Sequence, residues 1–351
     1  MSLSLSLEEK KAIPILKEKF DHIQKELKKK IVGQERVLNH CFIAIFSGGH
    51  CLLAGVPGVG KTLVVQSLGE LLSLKFSRIQ FTPDLMPSDI VGTQIITIDE
   101  TTKEKRFKFL RGPIFTNLFL ADELNRTPPK TQAALMEAME EKQVSLGGEK
   151  QPLPKPFFTM ATQNFVEQEG IYPLPFAQLD RFMFELALDY PSEDEEMKIL
   201  ELTTTAYKAE LEPVLVASEI LKYMEMVRKV EIDDSLVHYA ITLARSTRPG
   251  DELATEFAKQ WIECGASPRA PYYMILGAKA WAMLQGRSRV ILEDILYVAR
   301  AVLEHRIILS YHAQVEKISP SSIVSRLIEE VPKPGRKKWR FFPFLSWASR
   351  T

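Results

Sequence analysis

The sequence contains little cysteine and histidine, and it has no long hydrophobic run. Its 351 residues include three cysteines (Cys41, Cys51 and Cys264) and six histidines, none at a spacing that suits a metal site. The scattered cysteines predict buried free thiols of a reducing compartment rather than a disulfide framework. No apolar run reaches the roughly 18 residues that a membrane span requires. Residues 1–7 lack the basic start of a signal peptide, so we expect a cytoplasmic protein.

The sequence also lacks an excess of charge of either sign, with 45 basic and 45 acidic residues. This balance hides an uneven distribution, because residues 331–351 carry six basic residues and no acidic one. Aromatic side chains such as Trp339 and Trp347 alternate with them. Such a tail can lie on an anionic membrane surface or on nucleic acid, or it can be disordered or packed against the helical domain. The sequence leaves these alternatives open.

The glycine-rich stretch at residues 55–62 is the strongest signal in the chain. It fits the phosphate-binding pattern G-x-x-x-x-G-K-[ST], and it lies between an apolar strand pattern and a helical spacing of apolar residues. Glycines let backbone N–H groups face a phosphate, and the following helix N-terminus adds positive potential. Lys61 is expected to reach the β- and γ-phosphates of ATP, and Thr62 to bind Mg²⁺. The predicted ATP-binding residues of this stretch are Gly55, Val56, Pro57, Gly58, Val59, Gly60, Lys61, Thr62 and Leu63.

A second buried strand is predicted at residues 118–123 and ends in two acids, Asp122 and Glu123. Neighbouring residues of a strand point to opposite faces, so the two carboxylates are expected to serve different purposes. Asp122 is expected to hold Mg²⁺ through its waters, as the strand-end acid of a phosphate-loop enzyme does. Glu123 is expected to polarise the attacking water. A third predicted strand at 157–162 is followed by Asn164, whose amide can hydrogen-bond to the γ-phosphate or to that water.

Three stretches together resemble the MoxR family of AAA+ ATPases: GVPGVGKT, LADELNRTPPKTQAALMEAMEE and ATQN…EGIYPLPFAQLDRF. The similarity covers about residues 31–310. It implies that Asn164 is the sensor-1 residue, Arg181 the arginine finger and Arg269 the sensor-2 arginine. Phe165 departs from the family, which usually has proline at that position. The resemblance also places the adenine pocket at Ile31, Val32, Gly33 and Gln34.

The order of predicted elements divides the chain into four parts. Alternating strand and helix patterns predict a parallel sheet covered on both faces, and the pattern then becomes helical from a capping box at Ser192 and Glu195. The fold class is therefore α/β, an AAA+ P-loop core of αβα layers followed by an all-α lid. The predicted parts are an N-terminal helix (1–30), the core (31–191), the lid (192–330) and the basic, aromatic tail (331–351).

Further patterns lie inside these parts. Residues 91–109 and 143–156 predict hairpins, which the resemblance places at inserts that project toward the central pore of ring-shaped relatives. The alternative is surface decoration. In the lid, Arg269 near a helix start could reach back to a nucleotide held by the core. Helices are predicted at about 8–30, 216–229, 234–246, 268–285 and 292–304.

These patterns predict an ATP-hydrolysing, ring-forming remodelling protein that uses ATP and Mg²⁺. An arginine finger supplied by a neighbour raises turnover by about 10³–10⁵, so we expect a homo-oligomer, by resemblance a hexameric ring. A nucleotide-gated binding module is a second possibility, although a pure switch does not need Glu123. A DNA-handling motor is a third, but the core shows no basic, aromatic-interleaved surface, so nucleic acid is not expected. The resemblance implies protein clients, often proteins with a von Willebrand factor A domain.

Overall fold

The computed structural model of the protein describes residues 4–98, 105–146, 149–164, 170–205 and 209–334. The first half of the chain alternates strands and helices. Its helices are α1 (Leu7–Leu27), α2 (Glu35–Ser47), α3 (Lys61–Leu71), α4 (Pro87–Val91), α5 (Pro129–Glu141), α6 (Phe176–Leu179) and α7 (Glu193–Thr203). Its strands are β1 (Cys51–Gly55), β2 (Phe76–Gln80), β3 (Gly92–Ile98), β4 (Lys105–Arg111), β5 (Leu118–Asp122), β6 (Gln143–Leu146), β7 (Glu149–Pro152), β8 (Phe158–Gln163) and β9 (Phe184–Leu188).

Five of these strands form one parallel sheet in the order β2-β5-β8-β1-β9. The three central strands are almost continuously buried because both faces of the sheet are covered. Alternate residues serve the two faces, so that Leu53 packs in the cluster with α2 and α3 while Leu52 packs in the cluster with α5. The predicted α/β core is confirmed. Since the strands are parallel, the ends of β1, β5 and β8 meet at one edge of the sheet, the carboxyl edge.

The second half of the chain is mainly helical, as predicted, and packs on the core through α11 and α12. The four predicted lid helices differ from the observed ones by one residue at most at each end. Two short strands pair antiparallel inside this lid, so it is not purely helical. Strands of two or three residues carry too few side chains to produce a periodic pattern. The elements are α8 (Ala217–Lys229), α9 (Asp234–Arg245), α10 (Glu256–Trp261), β10 (Ile262–Cys264), α11 (Arg269–Leu284), α12 (Leu292–Leu303), β11 (Ile308–Leu309), α13 (Tyr311–Val315) and α14 (Pro320–Glu330).

Helix α1 is tied to the lid rather than standing alone. The ring of Phe20 lies edge-on to that of Trp281 in α11, with the ring centroids 6.3 Å apart. Lys229 of α8 forms an ion pair with Glu9 at 2.6 Å. The helix begins after a capping box of Ser6 and Glu9. It ends at Leu27, three residues earlier than predicted, so residues 28–30 follow the helix instead of forming its last turn.

Both predicted hairpins form, as the antiparallel pairs β3–β4 and β6–β7. In the first, Ile96 and Leu110 are more than half exposed. Residues 99–104 and 147–148, which join the paired strands, lie outside the described ranges, as do Phe165 and tail residues 335–351. The suggested membrane or nucleic-acid contact of the tail therefore stays a prediction.

The cysteines only partly match the expectation of buried thiols. Cys41 and Cys51 are buried in the core, whereas Cys264 is exposed because the short strand β10 lies at the surface of the lid. Across the described ranges, no three His, Cys, Asp or Glu side chains cluster as metal ligands. Within the same ranges, every helix is too short or too polar to cross a bilayer.

Candidate nucleotide-binding site

The phosphate loop joins β1 to α3 at the carboxyl edge of the sheet. Gly58 and Gly60 have φ angles of 86° and 85°, in the left-handed region that favours glycine. A Cβ atom added at either position would meet no other atom within 4 Å, so the loop surrounds open space. Lys61 Nζ donates to the carbonyl oxygen of Gly55 at 2.7 Å, which places its ammonium over the mouth of the loop. This open cradle, with a cation at its mouth, fits a phosphate group.

The charge of Lys61 is set by its surroundings. Burial lowers the pKa of Lys61, and the nearby carboxylates of Asp122 and Glu123 oppose that shift. The lysine therefore lies close to both predicted acids. Thr62 occupies the first turn of α3, so its hydroxyl and the carboxylate of Asp122 supply oxygen atoms of the kind Mg²⁺ prefers.

The predicted adenine segment lies beside the phosphate loop. Gln34 Nε2 donates to the carbonyl oxygen of Val59 at 3.1 Å, while its side-chain oxygen is buried without a hydrogen-bond partner. That free acceptor fits the amino group of adenine. Gly33 has a φ of 69°, and a Cβ atom there would lie 2.3 Å from the carboxylate of Glu195 on α7. A small cavity of about 80 Å³ at this place is lined by residues that include Val32, Gln34, Val59, Gly60, Leu63, Ile199 and Leu202.

Helix α7 therefore covers the adenine segment, which sequence analysis did not anticipate. Its residues Ile199 and Leu202 face the cavity, whereas Met197 and Leu200 on the other side are more than half exposed. No residue of α7 is buried. Few buried apolar contacts therefore hold this helix, which is typical of a segment of low local stability.

The two acids at the end of β5 are separated by a turn of the backbone. Asp122 ends the strand, and Glu123 has a φ of 57° in the left-handed region. The predicted strand alternation through Glu123 is therefore wrong, although the two side chains do diverge. Asp122 Oδ2 accepts from Arg78 Nη2 at 2.7 Å, and the carboxylate of Glu123 lies 3.0 Å from Arg126 Nε. A left-handed conformation costs energy at a residue other than glycine, and residues of this kind cluster at active sites.

Thr162 connects the two acids and was missed by sequence analysis. Its hydroxyl donates to Asp122 Oδ1 at 2.6 Å and accepts from the backbone N–H of Glu123 at 2.8 Å. Strand alternation places Thr162 on the same face of β8 as Met160, but only the pairing of β5 with β8 brings it beside Asp122. Asn164 follows the same strand and is buried. Its backbone carbonyl oxygen accepts from Asn125 Nδ2 at 3.1 Å. The predicted water-binding residues thus meet at one edge.

We expect Thr162→Val to lower ATP turnover by about 10- to 100-fold, since a hydrogen bond to a charged group contributes about 1.5–3 kcal/mol. Valine keeps the shape of the side chain but removes both hydrogen bonds that orient Asp122 and Glu123. Thr159→Val is the matched control, because Thr159 is equally buried in β8 and its hydroxyl has no partner. Phosphate release at saturating ATP measures the effect. Equal turnover in the two variants would show that Thr162 does not organise the acids.

Arg181 and Arg269 lie at the opposite, amino edge of the sheet. Arg181 precedes β9 and pairs with Glu140 at 3.1 Å, and Arg269, at the start of α11, pairs with the same carboxylate at 2.6 Å. Glu140 lies in the last turn of α5 beside Met139, whose carbonyl oxygen contacts the ring of His50 just before β1. The phosphate loop is at the far end of β1, roughly 15 Å away for a five-residue strand.

The expectation that Arg269 reaches back to the nucleotide of its own core is therefore wrong. The lid packs so that the start of α11 meets the amino edge, while ATP would lie at the carboxyl edge. The structure brings the two arginines together and leaves both far from the phosphate loop of the same chain.

A buried arginine, Arg306, joins the segment before β9 to the lid, and sequence analysis did not predict it. Arg306 is fully buried, and it donates to Asp180 Oδ1 at 2.8 Å and to the carbonyl oxygen of Asp180 at 2.7 Å. Ser267 Oγ donates to the same carboxylate at 2.8 Å. These bonds tie the residue before Arg181 to the lid, and Tyr273 OH donates to the carbonyl oxygen of Arg181 at 3.2 Å. Nothing in the sequence distinguishes Arg306 from an exposed arginine.

A phosphate loop after β1, two acids at the end of β5 in the same sheet and a helical lid define a nucleotide-binding protein of the AAA+ ATPase class. The sequence profile of the ATPase family associated with various cellular activities (AAA) matches residues 50–184, and that of the AAA lid domain matches residues 254–327. These matches include β1, the phosphate loop and the acids in the first range, and the start of α11 in the second.

Comparison with individual proteins narrows the class. Chaperone MoxR1 of Mycobacterium tuberculosis is 41% identical over 88% of this chain and 81% of its own length. The Bacillus subtilis protein YeaC is 41% identical over 92% of this chain and 96% of its own. A crystal structure from Cytophaga hutchinsonii superposes with a TM-score of 0.84 at 40% identity, covering 92% of this chain and 97% of the other. The chain belongs to the MoxR family of AAA+ ATPases.

Proposed function

We propose that the protein hydrolyses ATP as a ring of identical subunits and uses the cycle to remodel protein partners. One observation carries the ring: the phosphate loop and the pair Arg181 and Arg269 lie at opposite edges of one sheet. Each subunit then offers a nucleotide at one edge and two arginines at the other. Such a head-to-tail contact closes into a ring when its rotation allows, and by family resemblance we propose six subunits.

The residues of one nucleotide site would divide the work as follows. Lys61 and the backbone N–H groups of the phosphate loop bind the phosphates, and Glu123 accepts a proton from the attacking water. Asn164 orients that water or the γ-phosphate. When Mg²⁺ is bound, Thr62 and Asp122 would hold it, and it would neutralise charge on the phosphates.

The arginines complete the site from the next subunit. Charge develops on the transferred phosphoryl group, and fixed cations stabilise it more in the transition state than in the ground state. Arg181 would contact this group, with Arg269 beside it. An isolated subunit lacks these cations at its own phosphate loop, so it would be a slow ATPase.

We further propose that the partners are proteins, with von Willebrand factor A domains as the class that the family suggests. Support comes from the relative that is named a chaperone and from the β3–β4 hairpin, which exposes Ile96 and Leu110 away from the core. Exposed apolar side chains on a projecting element suit contact with a protein. The competing hypothesis, a nucleotide-gated binding module, does not require a carboxylate at residue 123, where the chain has Glu123.

Concentration dependence tests the ring. The specific ATPase activity is expected to rise with protein concentration and then level off, because association of subunits assembles the active sites by mass action. Light scattering over the same concentrations should show the increase in mass that accompanies the increase in activity. An Arg181→Ala sample should assemble without gaining activity. A specific activity that is high and constant from monomer to oligomer would contradict the proposal.

A further inference from the structure

One carboxylate at the end of α5 holds both arginines of the amino edge. Glu140 Oε2 lies 3.1 Å from Arg181 Nη2, and Glu140 Oε1 lies 2.6 Å from Arg269 Nη2. The two arginines come from different parts of the chain, since Arg181 precedes the core strand β9 and Arg269 begins the lid helix α11. All three side chains are between one-third and one-half exposed, so a neighbouring molecule can reach them.

The surroundings of Glu140 are strongly positive. A cavity of about 220 Å³ at this place is lined by four cationic side chains, those of Lys142, Arg181, Arg228 and Arg269. Among the described residues that line it, Glu140 is the one carboxylate. Burial, together with the positive charges of Arg228 and Lys155, lowers the pKa of Lys142. Without Glu140, like charges would push the two guanidinium groups apart.

A surface ion pair does not by itself indicate a functional role, because exposed pairs contribute little to stability. The arrangement at Glu140 differs in geometry. Each oxygen of the carboxylate contacts a different arginine, so the two guanidinium groups are held side by side at a fixed separation. Arg181 is also fixed through its backbone by Tyr273, and Arg269 through its N–H by Ser267. Asp180 Oδ2 lies farther from the Arg269 side chain, 4.0 Å from its Nε. Glu140 is therefore the carboxylate that contacts both guanidinium groups, whereas Tyr273 and Ser267 hold the backbone.

We propose that Glu140 is a positioning residue, which holds Arg181 and Arg269 together so that both face the nucleotide of the neighbouring subunit. This inference rests on the proposed function, because it requires a nucleotide supplied by another subunit. Glu140 itself does not touch the substrate. It cancels the repulsion between the arginines before the phosphates arrive, and this prior organisation is what makes fixed charges effective in a transition state.

The first test is Glu140→Gln, which keeps the shape of the side chain and removes its charge. The turnover number at saturating ATP is expected to fall by about 10- to 100-fold, the usual effect of displacing a positioned group by about 1 Å. The KM for ATP should change less than about 3-fold, since the arginines stabilise charge that develops mainly in the transition state. Glu140→Asp keeps the charge on a shorter side chain, so its turnover number should lie between those of the parent and of Glu140→Gln.

Glu141→Gln is the matched control. It removes the same charge from the same turn of α5, and Glu141 contacts neither arginine among the described contacts. Its turnover should equal that of the parent. Melting temperatures of all variants check that the fold is kept. If Glu140→Gln is as active as Glu141→Gln, or more active, Glu140 does not position the arginines.

Mixed subunits separate this inference from the proposed function. Glu140→Gln damages the arginine side of a site, and Lys61→Ala damages the phosphate side. Mixing these two variants should restore activity, because some interfaces join an intact Lys61 to intact arginines held by Glu140. Mixing Glu140→Gln with Arg181→Ala should not restore activity, because both substitutions damage the arginine side of the site.

Mixing Arg181→Ala with Lys61→Ala is the reference pair, because it tests the contribution between subunits without changing Glu140. If that reference pair recovers activity and the Glu140→Gln pair with Lys61→Ala does not, the ring proposal stands and the role of Glu140 is overturned. If neither pair recovers, the contribution of one subunit to the site of another is overturned, and the role of Glu140 with it. Recovery in both pairs supports both.

Discussion

Replacing Glu123 by glutamine is expected to lower ATP turnover by about 10²–10⁴-fold, the usual contribution of a positioned general base. Binding of ATP should remain, because Lys61 and the phosphate loop, which bind the phosphates, are unchanged. The amide keeps the size of the side chain and the left-handed turn at residue 123, but it cannot accept a proton. Binding of a fluorescent ATP analogue and release of phosphate measure the two effects separately.

Two further variants serve as controls for Glu123→Gln. Lys61→Ala should show the reverse pattern, with ATP binding lost at the first step, because the ammonium over the mouth of the loop is removed. Glu137→Gln, which removes an exposed carboxylate from α5, should behave like the parent. If Glu123→Gln hydrolyses ATP at nearly the parent rate, another group activates the water.

Replacing Arg181 by alanine is expected to lower turnover by about 10³–10⁵-fold, the contribution known for arginine fingers. ATP binding should persist in this variant, since Arg181 is at the edge of the sheet opposite to the phosphate loop. Arg289→Ala, which removes an exposed arginine that pairs with Asp233 on the lid, is the matched control. Measurement at a concentration where the parent is fully assembled prevents a loss of assembly from being mistaken for a loss of catalysis. A rate within about 3-fold of the parent would exclude Arg181 from the transition state.

Local signals in the sequence predicted the carboxyl edge of the sheet well. The glycine pattern, the apolar run before Asp122 and the strand before Asn164 each depend on a few consecutive residues, and parallel strands bring their ends together. The lid helices were also predicted closely, because periodicity over 12 or more residues is a strong signal. The backbone turn at Glu123 was not, since a strand pattern does not reveal where the strand stops.

Long-range contacts were beyond the sequence. Arg269 and Glu140 are 129 residues apart, and whether the lid places α11 at one edge of the sheet or the other depends on how two domains pack. Arg306 is buried where it meets Asp180, 126 residues earlier in the chain. Helix α7 covers the adenine segment although its sequence reads as an exposed, acidic helix. In each case the outcome depends on which surfaces of the chain pack together, and the periodicity of a sequence does not show this.

The central claim is that one subunit completes the nucleotide site of another. Mixing Arg181→Ala with Lys61→Ala tests it most directly, since each variant alone is inactive for a different reason. If Arg181 serves its neighbour, mixed rings contain interfaces that join an intact Lys61 to an intact Arg181, and phosphate release should recover to a clear fraction of the parent rate once subunits exchange. If Arg181 serves its own subunit, every site in the mixture lacks one of the two groups. Mixed samples that exchange subunits yet remain as inactive as their separate components would contradict the account.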